Sequence, residues 1–368
     1  MKEIRNIIEL YEAIDWQTEK AALATVVRVE ESAYRRIGAR MFVKSSGDWI
    51  GGVSGGCLEG DALKRAQKAI YNESQSIVVY DTMDDDAHQI GVGLGCNGRI
   101  EILFAPIDPS DPYNPVERLK RIQESRTPSI FYQVLQSSDE TELGTLREKA
   151  ECQEFAELIG IDKAELEEQT ELVEHRKKPK VVSLKKPDDS QVEVLIEFIR
   201  PELKIIIVGD NYDVNAFVGI AHELGWQITV IGLQRKLNKT VYEYAHQVYT
   251  YKDAHKIEVD AYTALVLMSH DYHKDKIMLE LFYEKKPPYI GMLGPKKRML
   301  KLHHEFEEAS VDIDLIHTPS VFSPTGLDIG AESPEEIALS VAAEIIAHFR
   351  ERDGQPLRLR KSTIHERE

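Results

Sequence analysis

The feature that most constrains the fold of this chain is a regular alternation of short apolar runs and helical patterns after Pro201. Residues 203–208 are nearly all apolar, as expected for a strand that is buried on both faces of a parallel sheet. A turn at Gly209, a helical pattern to about residue 224 and another apolar run at 227–231 complete a β-α-β unit. Because the alternation continues along the chain, it predicts a Rossmann-like, doubly wound parallel sheet.

The residues before Pro201 predict an α/β domain of a mixed kind, in which helical spacing and β-rich runs are both present. The predicted strands are 21–29, 40–44, 49–53, 76–80, 99–105, 129–136, 180–184 and 192–199. The predicted helices are 4–14, 59–71, 116–124 and the charged segment 148–174. We therefore predict an N-terminal mixed α/β domain over 1–200 with a β-rich segment at 108–200, a Rossmann-like C-terminal domain over 201–352 and a polar tail at 353–368.

Length and composition limit the class of protein to which this chain can belong. The chain has 368 residues, more than one ordinary hydrophobic core contains, and its formal net charge is −17. Nucleic acid and anionic membranes need a cationic surface, so this charge disfavours both as main partners. The odd count of three cysteines suggests free thiols in a reducing compartment. Acidic residues interrupt the first apolar pattern and no apolar run approaches bilayer length, so we predict a cytoplasmic protein.

Residues 51–61 form a glycine-rich stretch between a predicted strand and a predicted helix. The glycines allow positive φ and close approach of a ligand to the backbone, and Glu59 suits the first helical turn. A strand, a glycine turn and a helix N-terminus together form an anion pocket. Ser54 adds a hydroxyl, and Cys57 adds a thiol that can bind a soft metal or react. The alternative is a tight turn with a buried cysteine.

A second glycine-rich stretch, at 91–98, carries Cys96 and leads into a strand. If the two glycine–cysteine loops face each other, Cys57 and Cys96 share a pocket with Arg35 and Arg36. The two thiols do not make a zinc site by themselves, because zinc needs four ligands and neither loop contains Cys-x-x-Cys.

The predicted Rossmann turn departs from a dinucleotide-binding sequence. The pattern Gly-x-Gly-x-x-Gly needs glycines where Asn211 and Val214 stand, and only Gly209 fits. Gly232 replaces the acidic residue expected to bind the ribose at the end of the second strand. The sequence therefore disfavours ordinary NAD(P) binding, and for Gly209 a ligand role and a simple turn into a helix both stay open.

Two further junctions in the C-terminal half carry polar side chains. His270 and Asp271 follow the apolar run 265–268, and ligands of α/β proteins bind at such carboxyl ends of strands. His270 is a candidate proton donor or hydrogen-bonding group, whereas a helix cap is the alternative role for Asp271. Lys297 lies in a basic triplet, 296–298, at another strand–helix junction that could hold an anion.

With these motifs in view, the chain resembles the xanthine dehydrogenase accessory protein family, also called the XdhC/CoxI family. The N-terminal likeness lies in Arg-Arg-Ile-Gly at 35–38, in Gly-Val-Ser-Gly-Gly-Cys-Leu-Glu-Gly-Asp at 52–61 and in Gly-Leu-Gly-Cys-Asn-Gly at 93–98. The C-terminal likeness lies in Met-Ser-His-Asp at 268–271, Gly-Met-Leu-Gly-Pro-Lys-Lys-Arg at 291–298, Pro-Thr-Gly-Leu-Asp-Ile-Gly at 324–330 and Ser-Pro-Glu-Glu-Ile-Ala at 333–338. The middle of the chain, about 106–202, has no matching motif.

The resemblance implies a cytoplasmic maturation factor, or chaperone, that serves purine catabolism without being an enzyme itself. Such proteins are thought to bind the molybdenum cofactor (molybdopterin) transiently, to assist its sulfuration with a cysteine desulfurase and to pass it to apo-xanthine dehydrogenase. On this hypothesis Cys57 is the contact to molybdenum or sulfur. The other residues implied as cofactor-binding are Arg35, Arg36, Ser54, Gly55, Gly56, Glu59, Cys96, Gly209, His270, Asp271 and Lys297. A homodimer is compatible with the resemblance.

Two other functions stay open. The chain could be an NAD(P)-dependent oxidoreductase that uses His270 as acid or base. It could also be an interaction module in which the glycine loops are only turns.

Overall fold

The computed structural model describes residues 2–31, 34–81 and 98–360. The chain divides into two compact units, Met1–Pro201 (the N-unit) and Glu202–Glu368 (the C-unit). In chain order the elements of the N-unit are α1 (Lys2–Glu12), β1 (Ala21–Glu31), β2 (Arg40–Lys44), β3 (Trp49–Gly51), α2 (Glu59–Asn72), β4 (Ser76–Asp81), β5 (Gly98–Pro106), α3 (Pro115–Glu124), β6 (Ser129–Gln136), β7 (Leu146–Glu148), α4 (Cys152–Ile159), α5 (Lys163–Arg176), β8 (Lys180–Lys185) and β9 (Gln191–Ile199).

The first sheet of the N-unit is built around β1, and within the described residues its order is β3-β2-β1-β5-β4. Its neighbouring strands run antiparallel, and β2 and β3 form a hairpin. The buried face of α2 packs on the alanines of β1, because side chains of that size let a helix lie close to a sheet.

The segment 108–200 forms a second antiparallel sheet in the order β7-β6-β9-β8, covered by α4 and α5. We expected extra strands of the first domain, but these strands do not extend the first sheet. They pair with one another and stack on it through Val27, Leu103, Leu135 and Leu195. Since β6 and β9 bury apolar side chains on both faces, they need a layer on each side.

The charged segment 148–174 is helical as predicted, but it is two helices instead of one. Gly160 ends α4 in the left-handed conformation, with φ +68°. Asp162 then caps α5 by accepting the N–H of Ala164 at 2.9 Å. A glycine C-cap followed by an aspartate N-cap stops one helix and starts the next.

Two arginine–glutamate pairs join the stacked sheets. Arg40 of β2 contacts Glu197 of β9 at 2.6 Å, and their side chains are only 7% and 8% exposed. Arg28 of β1 contacts Glu193 of β9 at the same distance, 2.6 Å, with side chains 21% and 29% exposed. The first pair lies under the loop that precedes β2, residues 34–39, and this loop is part of the candidate site.

The C-unit is a Rossmann-like domain, as the sequence predicts. In chain order its elements are β10 (Lys204–Val208), α6 (Tyr212–Glu223), β11 (Gln227–Ile231), α7 (Lys239–Tyr244), β12 (Gln247–Tyr249), β13 (Thr263–Leu267), α8 (Tyr272–Tyr283), β14 (Tyr289–Met292), α9 (Lys296–Glu308), β15 (Val321–Phe322) and α10 (Pro334–Phe349). The sheet is parallel throughout, in the order β12-β11-β10-β13-β14-β15.

Helices cover both faces of this sheet, so its central strands are apolar along their whole length. The helices α6 and α10 pack on one face, and α8 and α9 on the other. The strand order reverses between β10 and β13, and the carboxyl ends of such strands are the usual ligand site of an open parallel sheet. Ser333 and Glu336 form a capping box at the start of α10.

No helix among the described residues is both long enough and apolar enough to cross a bilayer.

Candidate functional site

The glycine loop, defined as residues 51–58, connects β3 to α2. Gly51 has φ +82°, and a Cβ there would lie 2.2 Å from the carbonyl oxygen of Arg40. Gly56 has φ +111°, but a Cβ there would meet nothing within 4 Å. Gly51 is therefore required by close packing as well as by conformation, whereas Gly56 is required by conformation alone.

Ser54 organises this loop through its side chain. Its Oγ accepts the N–H groups of Gly56 at 3.2 Å and Leu58 at 3.0 Å, and donates its own proton to the Glu59 carboxylate. The backbone N–H of Ser54 donates to the same carboxylate at 2.8 Å. These bonds fasten the loop to the first turn of α2, so Ser54 and Glu59 hold the loop in shape.

The Glu59 carboxyl is ionised in this arrangement. Partial burial on its own would raise its pKa, but the Ser54 hydroxyl and nearby backbone N–H groups hold the pKa below its usual range. The carboxylate is therefore a fixed negative charge at the base of the loop, where it also suits the N-terminus of α2.

Cys57 lies at the exposed tip of the loop, so the alternative of a buried cysteine is wrong. Its Sγ is 3.5 Å from the Ser54 Oγ, to which the thiol can donate. Within the described part of the chain, no acceptor bonds the backbone N–H groups of Gly55 and Cys57. A thiol and two unused amide donors therefore lie within three consecutive exposed residues.

The arginine loop, defined as residues 34–39, lies beside the glycine loop. Ring atoms of Tyr34 are 3.2 to 3.4 Å from the position that a Cβ on Gly55 would take. The N–H of Gly52 donates to the carbonyl of Arg40 at 2.8 Å. The two segments that the sequence singled out at 35–38 and 52–61 are thus neighbours in the N-unit.

The two arginines of this loop differ in how they are held. Arg35 pairs with Glu3 of α1, and its Nε is buried without a hydrogen-bond partner among the described residues. Glu3 also accepts the backbone N–H of Arg40 at 3.0 Å, so it ties the loop to α1. Arg36 is exposed and makes no ion pair with a described carboxylate, which leaves its guanidinium available to an anion.

Cys96 and the rest of 91–97 lie outside the described residues, so the expectation that the two glycine–cysteine loops face each other stays a prediction. Across 2–31, 34–81 and 98–360, no group of three or more histidine, cysteine, aspartate or glutamate residues could hold a metal ion. Cys152 is buried in α4, and burial raises the pKa of its thiol, so this cysteine suits a structural place.

In the C-unit, the Rossmann turn (residues 209–213) lies between β10 and α6. The side chain of Asn211 crosses to the next strand end and donates to the carbonyl of Ser269 at 2.6 Å. A Cβ on Gly209 would lie 2.8 Å from the carbonyl oxygen of Met268. The turn is therefore packed directly against the end of β13 at the point where the strand order reverses.

Asp210 packs beside Gly232, the residue that stands where a dinucleotide site has its ribose-binding acid. Its carboxylate accepts the N–H of Leu233 at 3.0 Å and pairs with Lys236 at 3.2 Å. Burial alone would raise the pKa of Asp210, but these partners hold it below the usual range. A Cβ on Gly232 would lie 3.1 Å from the Asp210 Cβ, so the missing acid at Gly232 is explained by packing.

His270 and Asp271 have different roles in the structure. The Nε2 of His270 lies 2.5 Å from the Asp213 carboxylate, and the His270 side chain is 57% exposed. Asp271 caps α8 by accepting the N–H groups of His273 and Lys274 at 3.1 and 3.2 Å. Bonds to these amides hold the pKa of Asp271 below its usual range. Asp271 therefore has the helix-capping role that the sequence offered as the alternative.

The basic triplet 296–298 divides between surface and interior. Lys297 is exposed and makes no ion pair with a described residue. Arg298 instead turns inward to Asp275 at 2.6 Å. Asp275 also accepts the Ser269 hydroxyl at 2.5 Å, and burial raises the pKa of its carboxyl. The anion clamp expected here therefore has one fewer free cation than the sequence suggests.

The sequence did not point to Glu3 or Tyr34. Tyr34 directly precedes the motif at 35–38 and Glu3 lies far from it in sequence, and their roles depend on contacts made across 21 and 32 positions of the chain, respectively. An acid inside an apolar helical pattern was the visible sign at Glu3, and it does not identify a partner.

Two family models match the chain. The model of the XdhC and CoxI family matches residues 16–81, which include both the arginine loop and the glycine loop. The model of the XdhC Rossmann domain matches residues 205–345, which include the Rossmann turn and the ends of β13 and β14. Both ends of the chain therefore carry matching domains.

Two relatives and one solved structure match this chain over most of its length. A protein of Bacillus subtilis (strain 168), named as a probable subunit of xanthine dehydrogenase, is 28% identical over 93% of this chain and 97% of its own length. The Escherichia coli (strain K12) molybdenum cofactor insertion chaperone PaoD is 21% identical over 88% of this chain and 82% of its own. A solved structure described as a xanthine dehydrogenase from Bacillus halodurans superposes with a TM-score of 0.69 at 26% identity, covering 94% of this chain and 96% of that one.

Proposed function

Because the chain belongs to the XdhC and CoxI family, we propose that it is a maturation factor that binds the molybdenum cofactor and assists its insertion into a xanthine dehydrogenase. The observation that carries the proposal is the exposed tip of the glycine loop, which combines the Cys57 thiol with N–H groups of Gly55 and Cys57 that no described residue accepts.

The groups at this tip fit the parts of the cofactor. The cofactor supplies a molybdenum centre held by sulfur, a pterin and a phosphate. The amides of Gly55 and Cys57 and the guanidinium of Arg36 are donors of the kind that phosphate oxygens accept. The thiolate of Cys57 is a soft ligand, of the kind that suits molybdenum or a transferable sulfur.

The remaining residues of the N-terminal motif support the tip. Ser54 and Glu59 fix the loop, and Arg35 is engaged by Glu3, so we assign these three residues to positioning the contacts. This division explains how Ser54 and Glu59 belong to the motif although their polar atoms are already bonded. The contributions of Cys96, His270, Asp271 and Lys297 to cofactor binding stay proposals.

The partners follow from the proposal. We propose an apo-molybdenum hydroxylase as the recipient and a cysteine desulfurase as the sulfur donor, with a homodimer as the working assembly. The names of two relatives distinguish two relationships, since a subunit stays in the finished enzyme and a chaperone leaves it. Mature enzyme purified through a tag on the recipient should contain no stoichiometric amount of this chain, and a constant 1:1 ratio would instead favour a permanent subunit.

The direct test uses the full chain expressed in cells that make the cofactor. Wild-type protein should retain molybdopterin, measured as its fluorescent oxidised derivative, and Cys57→Ala should lose most of it. Cys152→Ala is the matched control, because it removes a thiol that is buried away from the loop. Equal retention by wild type and Cys57→Ala would refute the role of Cys57.

The oxidoreductase alternative fits the C-unit poorly. Asn211 and Asp210 fill the approach that a dinucleotide needs, and the Asp213 carboxylate stands in the first turn of α6, where a pyrophosphate would bind. Nicotinamide cofactors should leave the thermal unfolding midpoint unchanged, because only a ligand of the folded state raises it. A clear increase would revive this alternative, and His270→Ala would then test the acid–base role.

A further inference from the structure

The carboxyl ends of β10 and β13 lie beside a buried acceptor that has no donor among the described residues. Asp213, in the first turn of α6, has one carboxylate oxygen 2.5 Å from His270. The other oxygen, Oδ1, is buried and has no hydrogen-bond partner among the described residues. A buried acceptor without a donor is costly, so a ligand that supplies an N–H there gains affinity.

The group that closes this carboxylate is easily moved. The His270 side chain is 57% exposed, whereas Asp213 is 13% exposed beneath it. His270 also has a left-handed backbone, with φ +56°, at the end of β13. Rotation of this exposed ring would break its contact with Oδ2 of Asp213 and leave that oxygen free to accept a hydrogen bond from a ligand.

The charges around Asp213 select the class of ligand. A carboxylate repels phosphate, even at a helix N-terminus where amides attract it. A carboxylate with two free oxygens is instead suited to two parallel N–H donors. Tyr212 precedes it in the same turn and is 71% exposed, which offers a ring on which a planar heterocycle can stack.

We infer that Asp213 binds the 2-amino-4-oxo edge of a pterin, whose N3–H and 2-amino group are such a donor pair, and that His270 covers this site until the pterin displaces it. The inference rests on the proposed function for the identity of its ligand. It assigns recognition of the organic part of the cofactor to the C-unit.

The test is a titration of the full chain with 6-hydroxymethylpterin, which carries no phosphate and no metal. The matched ligand is 6-hydroxymethyllumazine, in which an oxygen replaces the 2-amino group. Wild-type protein should bind the pterin at least about tenfold more tightly, because the lumazine loses one donor to a charged acceptor. Equal affinities would overturn the inference.

Single substitutions test whether Asp213 and His270 are responsible for pterin binding. Asp213→Asn should weaken pterin binding about tenfold to a hundredfold and remove the preference over lumazine, since its amide presents a donor to a donor. Asp314→Asn, which changes an exposed carboxylate in the loop between α9 and β15, should bind as wild type does. His270→Ala should bind the pterin as tightly as wild type or more tightly, and a loss of binding would overturn the covering role.

Two comparisons separate this inference from its premises. Guanosine presents the same donor edge, so tighter binding of guanosine than of the pterin would overturn the assignment to a pterin. Cys57→Ala should leave the pterin titration unchanged. Loss of molybdopterin retention in Cys57→Ala together with an unaffected titration of Asp213→Asn would refute the Asp213 site and leave the proposed function standing.

Discussion

Two strand–glycine–helix junctions in this chain look alike in sequence and differ in chemistry. The glycine loop of the N-unit leaves the N–H groups of Gly55 and Cys57 unused by described residues and carries the exposed thiol of Cys57. In the Rossmann turn of the C-unit, the N–H of Gly209 donates to the carbonyl of Ile231, and Asp213 adds a carboxylate. One junction therefore attracts an anion and the other repels it.

The difference comes from the carboxylates more than from the glycines. In the glycine loop, the Glu59 carboxylate accepts hydrogen bonds from Ser54, and these bonds hold the loop in shape. In the Rossmann turn, Asp210 and Asp213 take donors, Leu233 N–H and His270, that a bound phosphate or ribose would compete with. A glycine-rich turn before a helix is thus a necessary feature of an anion site and is not sufficient for one.

The largest expected effect concerns the buried Arg40–Glu197 pair beneath the arginine loop. Glu197→Ala would leave the Arg40 charge buried without its partner and should lower the free energy of unfolding of the N-unit by about 3–5 kcal/mol. Glu193→Ala removes a more exposed pair at the same 2.6 Å distance and should cost about 1 kcal/mol or less. Urea unfolding followed by circular dichroism measures both, and equal losses would contradict the buried support.

The next effect separates packing from conformation inside the glycine loop. Gly51→Ala should destabilise by about 3 kcal/mol, because a strained φ is combined with a clash against the Arg40 carbonyl. Gly56→Ala carries the strained φ alone and should cost about 1–2 kcal/mol. If Gly56→Ala proved the more damaging in urea unfolding, the loop described above would be the wrong conformation.

A smaller effect tests the comparison itself. Inorganic phosphate should shift the amide resonances of Gly55 and Cys57 and leave that of Gly209 unmoved, in spectra of the full chain. At ten times its dissociation constant it should stabilise the protein by about 1.4 kcal/mol. Arg36→Ala should weaken this response, with Arg65→Ala as a control on the same unit whose guanidinium is already paired to Asp61. Shifts confined to Gly209 would reverse the assignment of the two junctions.

The smallest effect is the pH dependence of the two fixed carboxylates. Hydrogen bonds hold the pKa of Glu59 and of Asp210 below the values of the unfolded chain. Each therefore contributes stability that is present above the unfolded pKa, about 4, and is lost as pH falls through the lower folded value. The stability gap between wild type and Glu59→Gln or Asp210→Asn should shrink below about pH 4, and a gap that widens there would contradict the sign.

The periodicity of the sequence was enough to predict most helices and strands, because strands and helices bury their apolar faces with periods that are visible locally. The Rossmann-like sheet was predicted for this reason. The break at Gly160 was missed, since charged residues on both sides of it fit one long helix equally well. The stacking of the second sheet on the first was also missed, because strand pairing depends on distant residues.

For the candidate site, the sequence by itself determined which residue types are present: glycines at a strand–helix junction, a thiol, two arginines and a degenerate dinucleotide turn. Only the tertiary structure decided which of their polar groups are bonded within the protein and which are accessible to a ligand. Glu3 engages Arg35 and Asp275 engages Arg298, while Arg36 and Cys57 stay exposed. The physical reason is that a hydrogen bond or ion pair needs its partner within about 3 Å, and that partner is brought there by folding and not by spacing along the chain.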